Sequence, residues 1–262
     1  MLTRTFPTFG SRRSLRVLER NAMVYRSQWL MLVSGFFEPL FYLLSIGIGL
    51  NHLVGNLHVN GRVVSYATFV APGMLATSAM NGATIDTIFN TFFKLKISHV
   101  YDALLATPLD VTDVALGEVW WALARAAAYG ASFILCMALL GDAGGPWVLL
   151  CWPGAILTSL AFSAIGLAAC TYIRSWQDFD LVSLVQLPLF LFSATFFPIT
   201  LYPRWLGAIV SLSPLYQSAA LLRGLSLGQF DAIMIMRAGY LVVIAMIGLR
   251  IASSRFREIL TP

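Results

Sequence analysis

Four ionisable residues, Glu38, Asp86, Glu118 and Arg125, fall inside stretches that are otherwise apolar. A charge surrounded by hydrocarbon is expensive unless it is paired or hydrated. Two chemistries suit such a set. Carboxylates on neighbouring helices can pass protons along a relay, or opposite charges can pair and hold helices together around a polar path. Glu38 lies about nine residues into the first apolar run, and Pro39 after it is expected to bend the helix and free backbone carbonyls. Asp86 sits near the end of the second run, Glu118 near the start of the third, and Arg125 two turns further on. At about 1.5 Å per residue, Glu38 and Arg125 come to roughly the same depth. They are the best-matched opposite pair and are expected to bind each other.

Other chemistries lack their residues. No Walker A loop is present, so the chain is not expected to bind ATP itself. His52, His58 and His99 are dispersed without ligand spacing, which predicts no metal site. Cys136, Cys151 and Cys170 all lie in apolar runs and form no CxxC motif, although Cys136 and Cys151 flank one short turn and could be neighbours. With no nucleophile elbow and no paired catalytic carboxylates, no enzymatic activity and no bound cofactor are expected.

The elements that must position these charges follow from composition. Of 262 residues, 58% are hydrophobic and 11% charged, with a mean hydropathy of +0.78; soluble domains carry about 25% charged residues. The expected fold class is an all-α polytopic membrane protein. Apolar runs place six transmembrane helices at about 29–50, 66–89, 116–140, 147–173, 181–197 and 234–251. Twelve cations fall on the side of the termini (Arg4, Arg12, Arg13, Arg16, Arg20, Arg26, Lys94, Lys96, Arg174, Arg250, Arg255, Arg257). Arg62, Arg204, Arg223 and Arg237 fall on the other. The positive-inside rule then puts both termini in the cytoplasm. This asymmetry already accounts for the net charge of +5, so no nucleic-acid partner is expected. The first run is too long for a signal peptide and has no cleavage site, so the N-terminus is expected to be retained.

Residues 1–28 form a cytosolic segment whose Ser11–Gln28 part is an amphipathic interface helix, with Leu15, Leu18, Ala22 and Tyr25 as its apolar stripe. Membrane lipids are its first expected partner, and a cytosolic protein is a second. Residues 29–258 form the transmembrane domain. Its longest cytosolic connection, 90–113, holds a short amphipathic helix over about Lys94–Ala106; Pro108 breaks it, and Asp110 or Thr112 caps the next span. Joined to two spans, that helix can act as a lever or simply form a solvated loop. In 198–230, two Pro-led pieces, Pro203–Leu212 and Pro214–Leu225, are each too short to cross a core of about 30 Å. They are expected to form a re-entrant helical hairpin between spans five and six.

Three stretches carry a family resemblance. They are APGMLATSAMNGATIDTIF (Ala71–Phe89), YDALLATPLDVTDVALGEVWWALARA (Tyr101–Ala126, with its Leu116-Gly117-Glu118) and LFLFSATFFPITLYPRWLGAIVSLSPLYQSAALLR (Leu189–Arg223). In order and spacing the chain resembles the membrane subunits of type-2 ABC exporters, most closely the NodJ-like branch linked to lipo-oligosaccharide export. The resemblance implies a permease in the bacterial cell (inner) membrane. It also implies a second permease copy and a separate cytosolic ABC ATPase that binds ATP and Mg. The ATPase would be met by the coupling segment, through Lys94, Lys96, His99, Tyr101, Leu104 and Leu105. Spans one and five of two copies would flank the path for an amphipathic lipo-oligosaccharide, polysaccharide or drug, with Phe36, Phe37, Phe41, Phe190 and Phe196 as aromatic candidates that serve equally as packing. Two other functions compete: a proton-coupled secondary carrier using Glu38, Asp86 and Glu118, and a membrane-embedded lipid-modifying enzyme, for which no catalytic set is visible.

Overall fold

The computed structural model describes residues 12–26, 41, 43–45, 49, 54–59, 62–141 and 145–260. Most of the first expected span, Phe36, Phe37 and Glu38 included, lies outside the described residues. The chain is helical almost throughout. An interface helix α1 (Arg12–Arg26) is followed by a short antiparallel hairpin, β1 (Asn56–Val59) with β2 (Arg62–Ser65). Then come α2 (Tyr66–Phe92), a π-helical turn (Phe93–Ile97), the short α3 (Val100–Leu105) and α4 (Val111–Leu140). A 3-10 turn (Pro146–Leu150) leads into α5 (Cys151–Cys170), followed by α6 (Asp178–Leu191), α7 (Arg204–Ser211), α8 (Pro214–Ser226) and α9 (Ala232–Leu260).

Local chemistry sets the boundaries. Ser65 caps α2 by accepting the Thr68 N–H at 3.1 Å. Asp110 caps α4, where Asp113 returns a bond to the Asp110 N–H at 3.2 Å, and Gly141 closes that helix with φ 81°. Asp178 accepts the N–H groups of Arg174 and Ser175 at 2.7 and 3.0 Å before α6. Those two bonds hold its carboxyl below the usual Asp range. The cap is therefore intact above about pH 4 and weakens only as pH falls further.

α2 lies at the centre. It is buried along most of its length and packs on α4, α5 and α8. This explains why it tolerates Thr77, Ser78, Asn81, Thr84, Asp86 and Thr87 while being less apolar than the helices around it. Among the described residues, three helices are long and apolar enough to cross a membrane: Val111–Leu140, Pro146–Cys170 and Ala232–Ile259. The pair α7 and α8, bent by 84° at Leu212-Ser213, makes a fourth if it is a single broken span. The second helix of this pair is held deep: Leu215, Ala219 and Leu222 join the central core, and Cys151 Sγ donates to the Leu222 carbonyl at 3.3 Å. Cys136 shares that core with Cys151, and all three cysteines are free.

Helix contacts are made by small residues, as expected where lipid supplies no hydrophobic drive between helices. Ser159 reaches the Ala79 carbonyl at 3.3 Å, tying α5 to α2. Gly248 of α9 crosses α5 so closely that a Cβ there would lie 2.8 Å from the Ala164 carbonyl carbon. α6 is the exception. It buries only Phe179, while Leu181, Leu184, Val185 and Leu187 are exposed among the described residues.

The structure corrects three expectations. The fifth helix ends at Leu191 instead of reaching Phe197, after Pro188 removes a backbone donor and Ala194 takes a left-handed φ of 52°. The cytosolic helix expected over Lys94–Ala106 is two pieces, a π-helical turn and α3, separated by His99 at φ 47°. The buried stripe of α1 is Ser14, Val17 and Asn21; Leu15 and Ala22 point outward. The sequence pattern implies burial in lipid, whereas α1 lays its more polar edge on α4.

Substituting Gly248→Val should therefore overpack the α5–α9 crossing. A loss of about 1–3 kcal/mol is expected, measured as a lower thermal unfolding midpoint of the detergent-solubilised chain, whereas Gly239→Val, at a glycine with open space around it, should change little.

Candidate functional site

Where α1, α2, α3 and α4 converge, a lysine is buried against a glutamate. Lys94 Nζ lies 2.8 Å from both Oε1 and Oε2 of Glu118. Its side chain is 14% exposed and that of Glu118 5%. Asn21 of α1 completes the cluster, accepting from Lys94 at 3.1 Å and donating to Glu118 Oε2 at 3.3 Å. Three features of the sequence make it possible. The π-helical turn after α2 carries Lys94 to the α4 side. Gly117 lets α1 approach until Ser14 and Val17 touch the α4 backbone, since a Cβ at Gly117 would meet the Ser14 carbonyl at 3.0 Å. Asn21 then faces the carboxylate one residue along.

α3 is fixed beside this cluster. Tyr101 is fully buried and meets Phe256 of α9 edge-on at 6.0 Å. Burial, reinforced by the Glu118 carboxylate, pushes its phenol well above the usual tyrosine range, so it stays neutral. Leu104 and Leu105 pack partly buried against Val111, Val114 and Ala252. Of the six residues expected to meet an ATPase, Lys94 and Tyr101 thus point inward and Leu104 and Leu105 are half-buried, leaving Lys96 and His99 outward. The exposed surface is formed by Lys96, Ile97, His99, Asp102 and Ala103, with His99 Nδ1 3.0 Å from Asp102 Oδ2.

A second pair lies deeper. Arg125 binds Asp86 across α4 and α2. Tyr25 and Trp121 flank the guanidinium, with ring centroids at 5.3 and 6.0 Å. Tyr25 Oη also donates to Asn90 Oδ1 at 3.0 Å. Arg125 thus has a carboxylate partner from α2; its expected pairing with Glu38 involves a residue outside the described ones. Asp86, Glu118 and Arg125 are therefore structural partners of identified charges, two pairs sharing helices α2 and α4.

Beyond the pairs, a cleft of ≈ 280 Å³ opens between α2 and α6. Its wall includes Thr77, Ser78, Asn81, Ser183, Gln186 and Phe190. Gln186 Nε2 donates to Asn81 Oδ1 at 2.6 Å, the direct polar link between these helices. Phe190 meets Phe196 edge-on at 5.3 Å, both half-buried, while Phe41 is exposed. At the opposite end of α2 from Lys94, Arg223 of α8 reaches back to the backbone. Its Nε donates to the Phe69 carbonyl at 3.0 Å, and its Nη2 to Ala194 and Thr195 carbonyls at 3.1 and 3.3 Å. The last two carbonyls lie in the turn that follows the early end of α6. Sequence reasoning missed Asn21, Asn81, Gln186 and Arg223; the signal for the last was a lone cation inside a piece too short to span.

A bundle of membrane-length helices, with buried ion pairs beside a short helical element and a bent helical pair at the other end, is the architecture of a polytopic membrane protein. Residues 14–227 match the ABC-2 type transporter family. The chain is 35% identical over 221 residues to Nodulation protein J of Rhizobium leguminosarum bv. trifolii, covering 84% of this chain and 83% of that protein. It is 31% identical over 246 residues to Nodulation protein J of Rhizobium leguminosarum bv. viciae (93% of each) and 32% over 216 residues to that of Rhizobium meliloti (strain 1021) (82% and 81%). The chain belongs to the ABC-2 type transporter family: it is a multi-pass permease of the NodJ-like kind.

Lys94→Met or Glu118→Gln alone should leave a buried charge without its partner and cost about 3–5 kcal/mol. The double variant Lys94→Met/Glu118→Gln should recover most of that loss, read from thermal unfolding of the purified chain in a double-mutant cycle. Additive losses with no recovery would separate the two residues.

Proposed function

We propose that this chain is the membrane half of an ATP-driven exporter, with six spans, both termini in the cytoplasm of a bacterial cell (inner) membrane and a re-entrant hairpin facing outward. It works with a second permease copy and a separate ABC ATPase, which binds the ATP and Mg. The substrate is amphipathic: a lipo-oligosaccharide, as the NodJ-like resemblance suggests, or another glycolipid, polysaccharide or drug.

One observation carries this reading. The partly exposed α3 and the π-helical turn before it are joined by buried contacts to three helices, α1, α4 and α9. Tyr101 and Phe256 tie it to α9, Leu104 and Leu105 pack on the foot of α4, and the adjoining Lys94 binds α1 and α4 together. A push on Ile97, His99 or Ala103 is thus passed to the feet of α2, α4 and α9 at once. Closure of an ATPase dimer would supply that push. Among the described residues, α6 is held to α2 by the Asn81–Gln186 bond across the cleft and by Phe179 against Phe89 and Phe92, and the exposed apolar side of α6 suits a facing copy. Thr77, Ser78 and Ser183 offer hydrogen bonds to sugar hydroxyls there, and Phe190 offers a flat apolar face.

The proton-carrier alternative is less well supported. Asp86 and Glu118 each have a cationic partner on a neighbouring helix, the arrangement of a fastener rather than of a relay.

Ile97→Asp, at an exposed position, should lower copurification of the ATPase at least tenfold while the permease still inserts and unfolds at its normal temperature. Leu104→Asp should instead destabilise the permease itself, because that side chain packs inward. Normal ATPase recovery and normal substrate-stimulated ATP hydrolysis with Ile97→Asp would refute docking at α3.

A further inference from the structure

At the end of the bundle remote from α3, helix α8, the turn at 198–200 and the start of α9 line an open cavity of ≈ 680 Å³. Two guanidiniums line it, Arg223 from α8 and Arg237 from α9. Arg237 Nη1 donates to the Ala220 carbonyl at 3.2 Å, and Arg223 is held by the three carbonyls described above. Carbonyl oxygens satisfy donors without neutralising charge. Among the described residues neither arginine forms an ion pair. The nearest acidic side chain on the cavity wall is Asp231, exposed at the mouth.

The two cations and one carboxylate leave one uncompensated positive charge. The long helix α9 begins at the same wall, with Ile233 and Met234 lining it, so the positive end of its dipole adds to the field. Thr200, Tyr216 and Gln229 provide neutral hydrogen-bonding groups around the space. A singly charged oxyanion with several acceptor oxygens matches this set, because guanidinium forks pair well with phosphate. A cationic ligand does not.

We propose that this cavity is an anion site that binds a phosphate group, presented either as the phosphodiester of a lipid headgroup or as free phosphate. The site lies about 40 Å from the coupling end, the length of α2 at 1.5 Å per residue, and it stands whether or not the chain couples to an ATPase through α3. Occupancy would neutralise the arginine pair and brace α8 against α9.

The test uses the full purified chain in neutral detergent, followed by thermal unfolding. It is titrated separately with short-chain phosphatidylglycerol, with inorganic phosphate, and with a diacylglycerol of equal chain length as the uncharged control. A saturable rise in midpoint is expected with phosphatidylglycerol and none with the diacylglycerol. A rise with phosphatidylglycerol alone assigns the lipid headgroup, and an equal rise with inorganic phosphate assigns the phosphate itself. Arg237→Gln should weaken binding at least tenfold. Asp231→Asn, which removes the opposing charge, should tighten it severalfold, a gain that misfolding cannot imitate. An equal response to diacylglycerol, no response to either phosphate compound, or unchanged binding in both variants would overturn the proposal.

Discussion

The rest of the structure hangs on one buried ammonium. Lys94 is taken out of water and returned a full set of acceptors: two carboxylate oxygens and an amide oxygen, each within 3.1 Å. Removing two charges from water costs several kcal/mol per ion, which only close geometry and extra hydrogen bonds offset. The pair is therefore better understood as a fixer of position than as a source of stability. It selects the one arrangement in which the π-helical turn, the foot of α4 and the edge of α1 all meet. Any other register would leave a charge stranded.

From that point the molecule divides into a stiff base and a looser wall. At the base, Tyr101, Leu95, Val111, Leu167 and Phe256 form a closed apolar cluster beneath the ion pair. In the middle, α2 is surrounded by α4, α5 and α8, and small residues replace bulky ones wherever two backbones cross. α6 stands apart, in contact with α2 through a polar bond and a few aromatic rings. A transport subunit needs this contrast. The base must carry force without yielding, and the wall must move when force arrives. Low local packing is the physical form of that mobility.

Much of this was legible in the residues. Hydropathy located α2, α4, α5, α6 and α9, and the Pro-led pieces at Pro203 and Pro214 announced the bent pair. Asp110 was recognisable as a cap. What could not be read was partnership. Charges separated by 24 to 39 residues pair according to how helices rotate about their axes, and a π-helical turn shifts that rotation without altering the hydrophobic pattern. Hence Lys94 read as an outward contact, and the Asp86 partner of Arg125 was not foreseen. The stripe of α1 was misplaced by one residue because Ser14 and Asn21 are polar and yet buried, a choice dictated by Gly117 and Glu118 on another helix. The β-hairpin did carry a signal in Asn60-Gly61, between short alternating runs, but an apolar chain with obvious spans drew the reading past it.

The two ends of α2 are secured by different kinds of bond. At the coupling end both partners are ionised groups. At the far end Arg223 grips amide carbonyls, which neither gain nor lose a proton at any biological acidity, while the guanidinium itself stays charged. The far latch is thus indifferent to the acidity of its surroundings. A change of acidity at that end would therefore leave its closure as it is, and control over opening would fall to the opposite end of α2.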